Sequence, residues 1–226
     1  MSHDHDHPHD HGDHGHPHRH PVQADHDDTL TYYRKLEIAV RELLIEKNVI
    51  SADEVRKVVE DIESRSPEGG ARVVARAWTD PAFKRALLED ATAACTSMGF
   101  EMALYDVKLT AVENTPEVHN MVVCTLCSCY PRMLLGLPPA WYKSRAYRSR
   151  AVREPRAVLR EFGLELPSSV SVRVHDSTAD LRYLVLPMRP AGTEHLSEAE
   201  LVKIVSRDSM IGTAVVRHPR EGGDPS

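Results

Sequence analysis

From Leu30 to Lys47, apolar side chains recur at helical spacing at Tyr33, Leu36, Val40, Leu43 and Leu44, with Asp28 or Thr29 available as a cap. This predicts an amphipathic helix. Ser51-Ala52-Asp53-Glu54 has the form of a capping box and opens a second helix through Val55, Val58, Val59 and Ile62. Ser66, Pro67, Gly69 and Gly70 are expected to break the chain, and Ala71 to Trp78 returns to helical pattern. Asp80-Pro81 predicts the start of a longer helix through Phe83, Leu87, Leu88, Ala91 and Cys95, stopped at Gly99.

The pattern then shortens its period. Tyr105 to Glu113 alternates as a strand would, and Val118 to Val123 predicts a short strand that ends at a cysteine cluster. Past Gly136, Pro138 and Pro139 lies an aromatic and basic stretch, Trp141 to Arg150, to which no element is assigned. Pro155 suits the first turn of a helix ending at Gly163. Val170 to His175 and Leu181 to Leu186 predict strands, Ser197-Glu198-Ala199-Glu200 a capped helix to Ser206, and Ile211 to Val216 a last strand. Helices followed by strands mixed with helices give an α+β fold. The expected organisation is a disordered tail over 1–28, a helical arm over 29–70 that packs on a partner subunit, a core over 71–214, and a second disordered tail over 215–226.

Composition removes several classes of function. Residues 1–28 carry seven Asp and one Arg, and the remaining chain holds 27 acidic and 27 basic residues. A formally neutral body argues against a nucleic-acid partner. No stretch approaches the roughly 20 apolar residues of a membrane span, and the polar start has no apolar h-region. Neither a membrane nor secretion is expected, and unpaired clustered thiols fit a reducing compartment, the cytoplasm. The first 26 residues hold ten of the fourteen histidines, interleaved with Asp, Gly and Pro. Their functional reading is loose capture of divalent metal; the alternative is a solubilising or added tail.

The chemistry concentrates in Cys124-Thr125-Leu126-Cys127-Ser128-Cys129, which holds three of the four cysteines. Two sulfurs spaced CxxC reach one metal ion, and the following CxC adds a third. Between the last two lie the backbone amides of Ser128 and Cys129. A trivalent ion acidifies such amides and binds them as nitrogen anions, so one loop supplies five donors and leaves one octahedral position open. Two other readings stand beside this one. A zinc site needs a fourth ligand, for which His119 is available, while Cys95 reads as a small buried hydrophobe in a helix. A CxxC redox pair needs only Cys124 and Cys127 and leaves Cys129 unexplained. Asp176 is a candidate to orient the loop from outside.

The run from Val112 to Pro131, Val-Glu-Asn-Thr-Pro-Glu-Val-His-Asn-Met-Val-Val-Cys-Thr-Leu-Cys-Ser-Cys-Tyr-Pro, resembles the α subunit of nitrile hydratase. The resemblance extends from about Leu36 to Ala214. It includes Val73 to Trp78, Gly136 to Lys143, Tyr147 to Arg150, Arg153 to Arg156, Leu181 to Tyr183 and Arg207 to Gly212. It implies a helical N-terminal arm on a four-layer α-β-β-α core, and a cytoplasmic enzyme that hydrates small nitriles to amides. It also implies a β subunit in an αβ or α2β2 assembly, and a cobalt-loading activator protein. Thr125 at the second position of the motif implies one non-corrin Co(III) per subunit. Cys124 would then be the axial thiolate, Cys127 a sulfinate and Cys129 a sulfenate, with the amides of Ser128 and Cys129 as the nitrogen donors. Cys127, Ser128 and Cys129 are the candidate catalytic residues.

The chain departs from the family pattern at Arg132, where Trp is usual, at His175 (Trp), at Asp180 (Glu), and across Phe100 to Ala111, which lacks a pocket-lining Gln. Arg132 brings the γ subunit of thiocyanate hydrolase into view as the alternative, because it shares the motif followed by Tyr-Pro-Arg. A cation there is expected either to meet substrate or to pair across a subunit interface. Trp141 and Tyr142 are expected to line a pocket or to pack the core or an interface, and a non-catalytic cobalt-holding protein is a third reading of the whole.

Overall fold

A computed structural model of the chain describes residues 30–102 and 107–217. Two helices lead: α1 (Tyr32–Glu46), capped by Thr31, and α2 (Ala52–Ser64), opened by the Ser51/Glu54 capping box. Neither buries a single residue. Then come α3 (Glu68–Thr79), α4 (Pro81–Glu89) and α5 (Ala91–Ser97), followed by β1 (Lys108–Glu113) and β2 (Val118–Val123). Short helices α6 (Arg132–Leu135), α7 (Ala140–Lys143), α8 (Arg145–Arg153) and α9 (Pro155–Glu161) precede β3 (Ser171–Asp176) and β4 (Leu181–Leu186). Helices α10 (Glu198–Ile204) and α11 (Arg207–Ile211) close the described chain. The fold mixes helix and strand, as an α+β class requires.

Strand pairing is not sequential. β1 lies parallel to β4 and β2 parallel to β3, in two two-stranded sheets. β2 is buried along nearly its whole length, while β3 alternates between half-buried and exposed positions. The core gathers around β2 and β4 from α3, α5, α8 and α11, with Val73, Val74, Leu87, Met121, Val123, Leu184 and Met210 fully or almost fully buried.

Three expectations are corrected. Gly69 and Gly70 do not break the chain; they lie inside α3. A Cβ on Gly69 would come within 2.9 Å of the Leu134 carbonyl, and one on Gly70 would meet Leu135 and the Met210 sulfur. They are small so that neighbouring backbone can approach, not so that the chain can turn. The longer helix after Pro81 is split at Asp90, whose carboxylate accepts from the Ala93 N–H at 3.0 Å and restarts the helix as α5. The last strand is absent: Ser206 caps α11, Gly212 ends it in the left-handed region at φ +88°, and 215–217 carry no regular element. Local capping overrides the β-branched content there. The expectations for 1–28 and 218–226, and the Tyr105 start of β1, lie outside the described residues. α7 and α8 fill the stretch to which no element was assigned, with Ser144 capping α8 through the Tyr147 N–H at 3.1 Å.

A buried polar seam joins β2 to its neighbours. Asn120 donates to the Glu113 carbonyl at 2.7 Å and to Asn114 Oδ1 at 3.0 Å, and His175 Nε2 meets Asn120 Oδ1 at 2.9 Å. His119 Nε2 donates to the Gly212 carbonyl at 2.7 Å, with Nδ1 3.4 Å from Asn114. Gly212 can sit there only without a side chain, since a Cβ would collide with the Asn120 carbonyl. Burial holds the His119 imidazole below its ordinary pKa of 6.5, and the bond to Gly212 only partly opposes this. The unfolded chain therefore takes up a proton that the folded chain refuses, so stability is greatest above pH 6.5 and is lost as pH falls below it. Thermal midpoints measured from pH 7.5 to 5 should fall with pH. His119→Gln, which keeps polar partners but cannot titrate, should start lower and fall less steeply; equal slopes in the two proteins would remove His119 as a cause.

Candidate metal centre

β2 delivers the cysteine loop at its C-terminal end, and the parallel register sets Val123 beside Asp176 at the end of β3. A Ser177 N–H to Val123 carbonyl bond of 2.7 Å continues the pairing one step beyond the strands. Cys124 is fully buried, Cys129 half-buried and Cys127 exposed. Their sulfurs lie 3.6 Å apart between Cys124 and Cys127 and 3.3 Å apart between Cys127 and Cys129, and all three fall within 4.8 Å of one another. Among the described residues this is the one group of three or more candidate ligands.

Cys127 N–H donates to the Cys124 sulfur at 3.3 Å, and the backbone amides of Ser128 and Cys129 lie close enough to the Cys127 sulfur to favour its thiolate. The contact from Cys129, and then these amides, hold the Cys127 thiol below its ordinary pKa. Burial, reinforced by the contact with Cys127, pushes Cys129 up to about 12, against the pull of the nearby Arg182 charge. The thiolate is the form that binds metal.

The donors fit a metal claw better than the competing readings. His119 is committed to Gly212 and Asn114, and Cys95 is buried in α5, its thiol pushed up to about 12 by burial alone. Neither joins the three sulfurs as the fourth ligand of a closed zinc site. The third sulfur, idle in a CxxC redox pair, is here in direct contact with Cys127.

An outer frame holds the loop open. Asp176 accepts from the Thr125 N–H at 2.9 Å and from its hydroxyl at 2.6 Å, so Thr125 points away from the sulfurs and is not a ligand. Arg148 donates to the carbonyls of Thr125 and Leu126 at 3.2 and 2.9 Å. From beneath, Tyr147 donates to the Val122 carbonyl at 2.6 Å and Tyr142 to the Cys129 carbonyl at 2.8 Å. Both rings are buried and meet Trp141 edge to face, which itself packs on Phe162 at 4.7 Å. Trp141 and Tyr142 therefore belong to the core. Asp176 was legible in sequence as an orienting group, whereas Arg148 and Tyr147 were not: they lay in an aromatic and basic stretch with no assigned element, and the family resemblance of Tyr147 to Arg150 was the one signal there.

In front of the sulfurs lies a cleft of about 310 Å³ lined by Cys127, Ser128, Cys129, Arg132, Met133 and Arg182, with Val107, Tyr130 and Ala179 completing it. Leu126, at the tip of the loop, is 84 % exposed. His175 lies away from the lining, its ring 5.0 Å from Tyr183, and the Asp180 carbonyl accepts from Lys108 at the start of β1.

With this geometry in view, the nitrile hydratase α-chain family model matches residues 31–214. The high-molecular-weight cobalt-containing nitrile hydratase subunit α of Rhodococcus rhodochrous is 50 % identical over 202 residues, covering 88 % of this chain and 98 % of the relative. Thiocyanate hydrolase subunit γ of Thiobacillus thioparus is 45 % identical over 190 residues, covering 80 % and 78 %. Among solved structures, a recombinant thiocyanate hydrolase with partially modified cobalt centres superposes with a TM-score of 0.78 at 43 % identity, covering 84 % of this chain and 92 % of that one.

The double grip of Asp176 on Thr125 has a measurable consequence. Asp176→Ala should lower metal affinity at least about tenfold, and Thr125→Val, which removes only the hydroxyl contact, should lower it less. Competition with a chelator reads the affinity, and an unchanged circular dichroism spectrum separates it from unfolding. Unaltered affinity in Asp176→Ala would sink the positioning role.

Proposed function

Because the chain belongs to the nitrile hydratase α-chain family, we propose that it is the metal-bearing subunit of a cytoplasmic cobalt enzyme that hydrates nitriles to amides. The observation that carries this reading is the convergence of three sulfurs at the end of β2, within 4.8 Å of one another, with the Ser128 and Cys129 amides in the chain between the last two. Cys124, Cys127 and Cys129 would hold one Co(III) through sulfur, and Ser128 and Cys129 through their amide nitrogens. When bound, a trivalent ion with one open position supplies Lewis-acid polarisation of a cyano carbon.

The chain's own residues set the rest. Cys124, sealed in the core, and the more open Cys127 and Cys129 would offer their sulfurs to the ion, the latter two as sulfinate and sulfenate, with Cys129 facing the cleft. Its sulfenate oxygen is the nucleophile, or takes a proton from the water that is. Asp176 and Arg148 keep the loop from closing on itself, and the Tyr142 hydroxyl fixes the carbonyl of Cys129.

A β subunit completes the enzyme. Supporting this, Tyr33, Leu36, Val40 and Leu43 on α1 and Val58 and Val59 on α2 all stand exposed, as does Leu126 above the cleft. Such a stripe fits a large partner surface, and the four-layer stacking of the core belongs to the same reading. An activator protein would load the cobalt.

Purified with its partner subunit and cobalt, the protein should convert propionitrile to propionamide, and the chain alone should not. Cys129→Ala should lose turnover by at least about a thousandfold, the scale on which loss of a covalent or general-base participant is felt, while its circular dichroism spectrum and melting stay near those of the parent. Full hydration by that variant would refute the role of Cys129.

A further inference from the structure

Met133 stands between two cavities. On one side is the cleft of about 310 Å³ in front of the sulfurs, and on the other a second cavity of about 570 Å³, bounded by the end of α2, the start of α3 and the segment from Gly99 to Glu101. Among the described residues, Met133 is the one that lines both. Its backbone is held on either side. The N–H groups of Leu134 and Leu135 donate to the Pro131 carbonyl at 3.1 and 3.0 Å, and both leucine side chains are fully or almost fully buried. Gly136 ends α6 at φ +68°, so close to the Arg65 carbonyl that a Cβ would collide with it. The Met133 side chain itself is only half-buried. An unbranched thioether changes shape at little cost, so the wall between the cavities is one that can yield.

The second cavity has its own chemistry. Asp61, Glu68 and Glu101 bring carboxylates to it, Arg65 and Arg72 guanidiniums, and Ser64 a hydroxyl. Arg65 pairs with Asp61, and Arg72 lies over the Phe100 ring, 5.5 Å from its centroid. Charges of both signs beside hydroxyls suit a neutral end group that donates or accepts hydrogen bonds; they suit a hydrocarbon tail poorly, because its burial there would strip water from polar groups and return nothing. We propose that this cavity is a distal subsite for elongated nitriles with a neutral, polar far end, and that Met133 is the specificity-determining residue that sets how far a substrate reaches into it. The inference rests on the hydration reading above and names its substrate class. In a straight-chain dinitrile, one cyano group lies at the sulfurs, the methylenes run along the Met133 thioether, and the second cyano group accepts from Arg72 or Ser64. The reaction adds one water across one carbon–nitrogen triple bond: oxygen goes to carbon, two protons end on nitrogen, and no group leaves. The resulting cyano-amide can enter again with its amide in the second cavity, where donors and acceptors are both at hand.

The test uses the assembled, cobalt-loaded enzyme with propionitrile, hexanenitrile and adiponitrile, the last two having equally many carbons. The parent should favour adiponitrile over hexanenitrile in kcat/KM by more than the statistical advantage of two reactive ends. Met133→Phe, which stiffens and thickens the wall, should lower the adiponitrile-to-propionitrile ratio about tenfold, the scale on which one methylene's fit in a pocket is felt, and chiefly through KM. Met133→Ala should raise the same ratio, so a general folding defect in either variant cannot imitate the pair. Arg72→Met should lower the adiponitrile-to-hexanenitrile ratio, and calorimetric titration with adipamide, which needs no turnover, should show weaker binding in Arg72→Met and Met133→Phe than in the parent. If propionitrile is hydrated well and the ratios stay at their parental values in all three variants, the distal subsite is refuted while the hydration reading stands. If the parent consumes no nitrile, the hydration reading fails and the proposal fails with it.

Discussion

Three sulfurs crowded within 4.8 Å cannot all ionise in a free loop, because each thiolate raises the cost of the next. The structure meets this constraint from outside the cluster. Among the described residues, the side chains outside the loop that hydrogen-bond to it reach its backbone or Thr125, and none bonds to a sulfur. Asp176, Arg148, Tyr142 and Tyr147 set the shape of the loop while the three sulfurs stay within 4.8 Å of one another. At about 1 kcal/mol net for each such bond, the frame is worth enough to hold one loop conformation against repulsion, yet leaves the donors free.

The frame depends on strand order. Because β2 pairs in parallel with β3, two strands distant in sequence end at the same place, and the claw and its orienting carboxylate emerge side by side. An antiparallel partner would have put its other end there. Burial then grades the three cysteines: Cys124 is sealed, Cys129 half-covered and Cys127 open. One motif thus offers three sulfur environments along a line from core to solvent.

Much of this was legible in the sequence, and unevenly so. β2 and β4 fall where their apolar, β-branched runs place them, and the Ser51 and Ser197 capping boxes open helices as their spacing requires. The sulfur cluster was legible because its spacing is short-range, and the burial of Cys95 because it follows from helical pattern. What stayed hidden was set by distant contacts. Gly69 and Gly70 look like a turn until Leu134 and Met210 are known to press on them. Ile211 to Val216 reads as a strand until Gly212 is seen to need the space over Asn120. Arg148 and Tyr147 look like ordinary helix residues, and only the fold turns them toward the loop.

The seam between Gly212 and β2 also bears on how the site comes into being. Tyr142, Tyr147, Arg148, Asp176 and Gly212 all follow the cysteines in the chain, so the thiols leave the ribosome before anything that shapes them has been made. Some 80 residues separate Cys129 from Gly212, and at about 5–20 residues per second of synthesis the loop spends several seconds as an unframed cluster of thiols. The site is thus assembled from its C-terminal side, and its most reactive groups are exposed earliest. In a cell, the order of translation thus exposes the thiols of this loop before the residues that frame them exist.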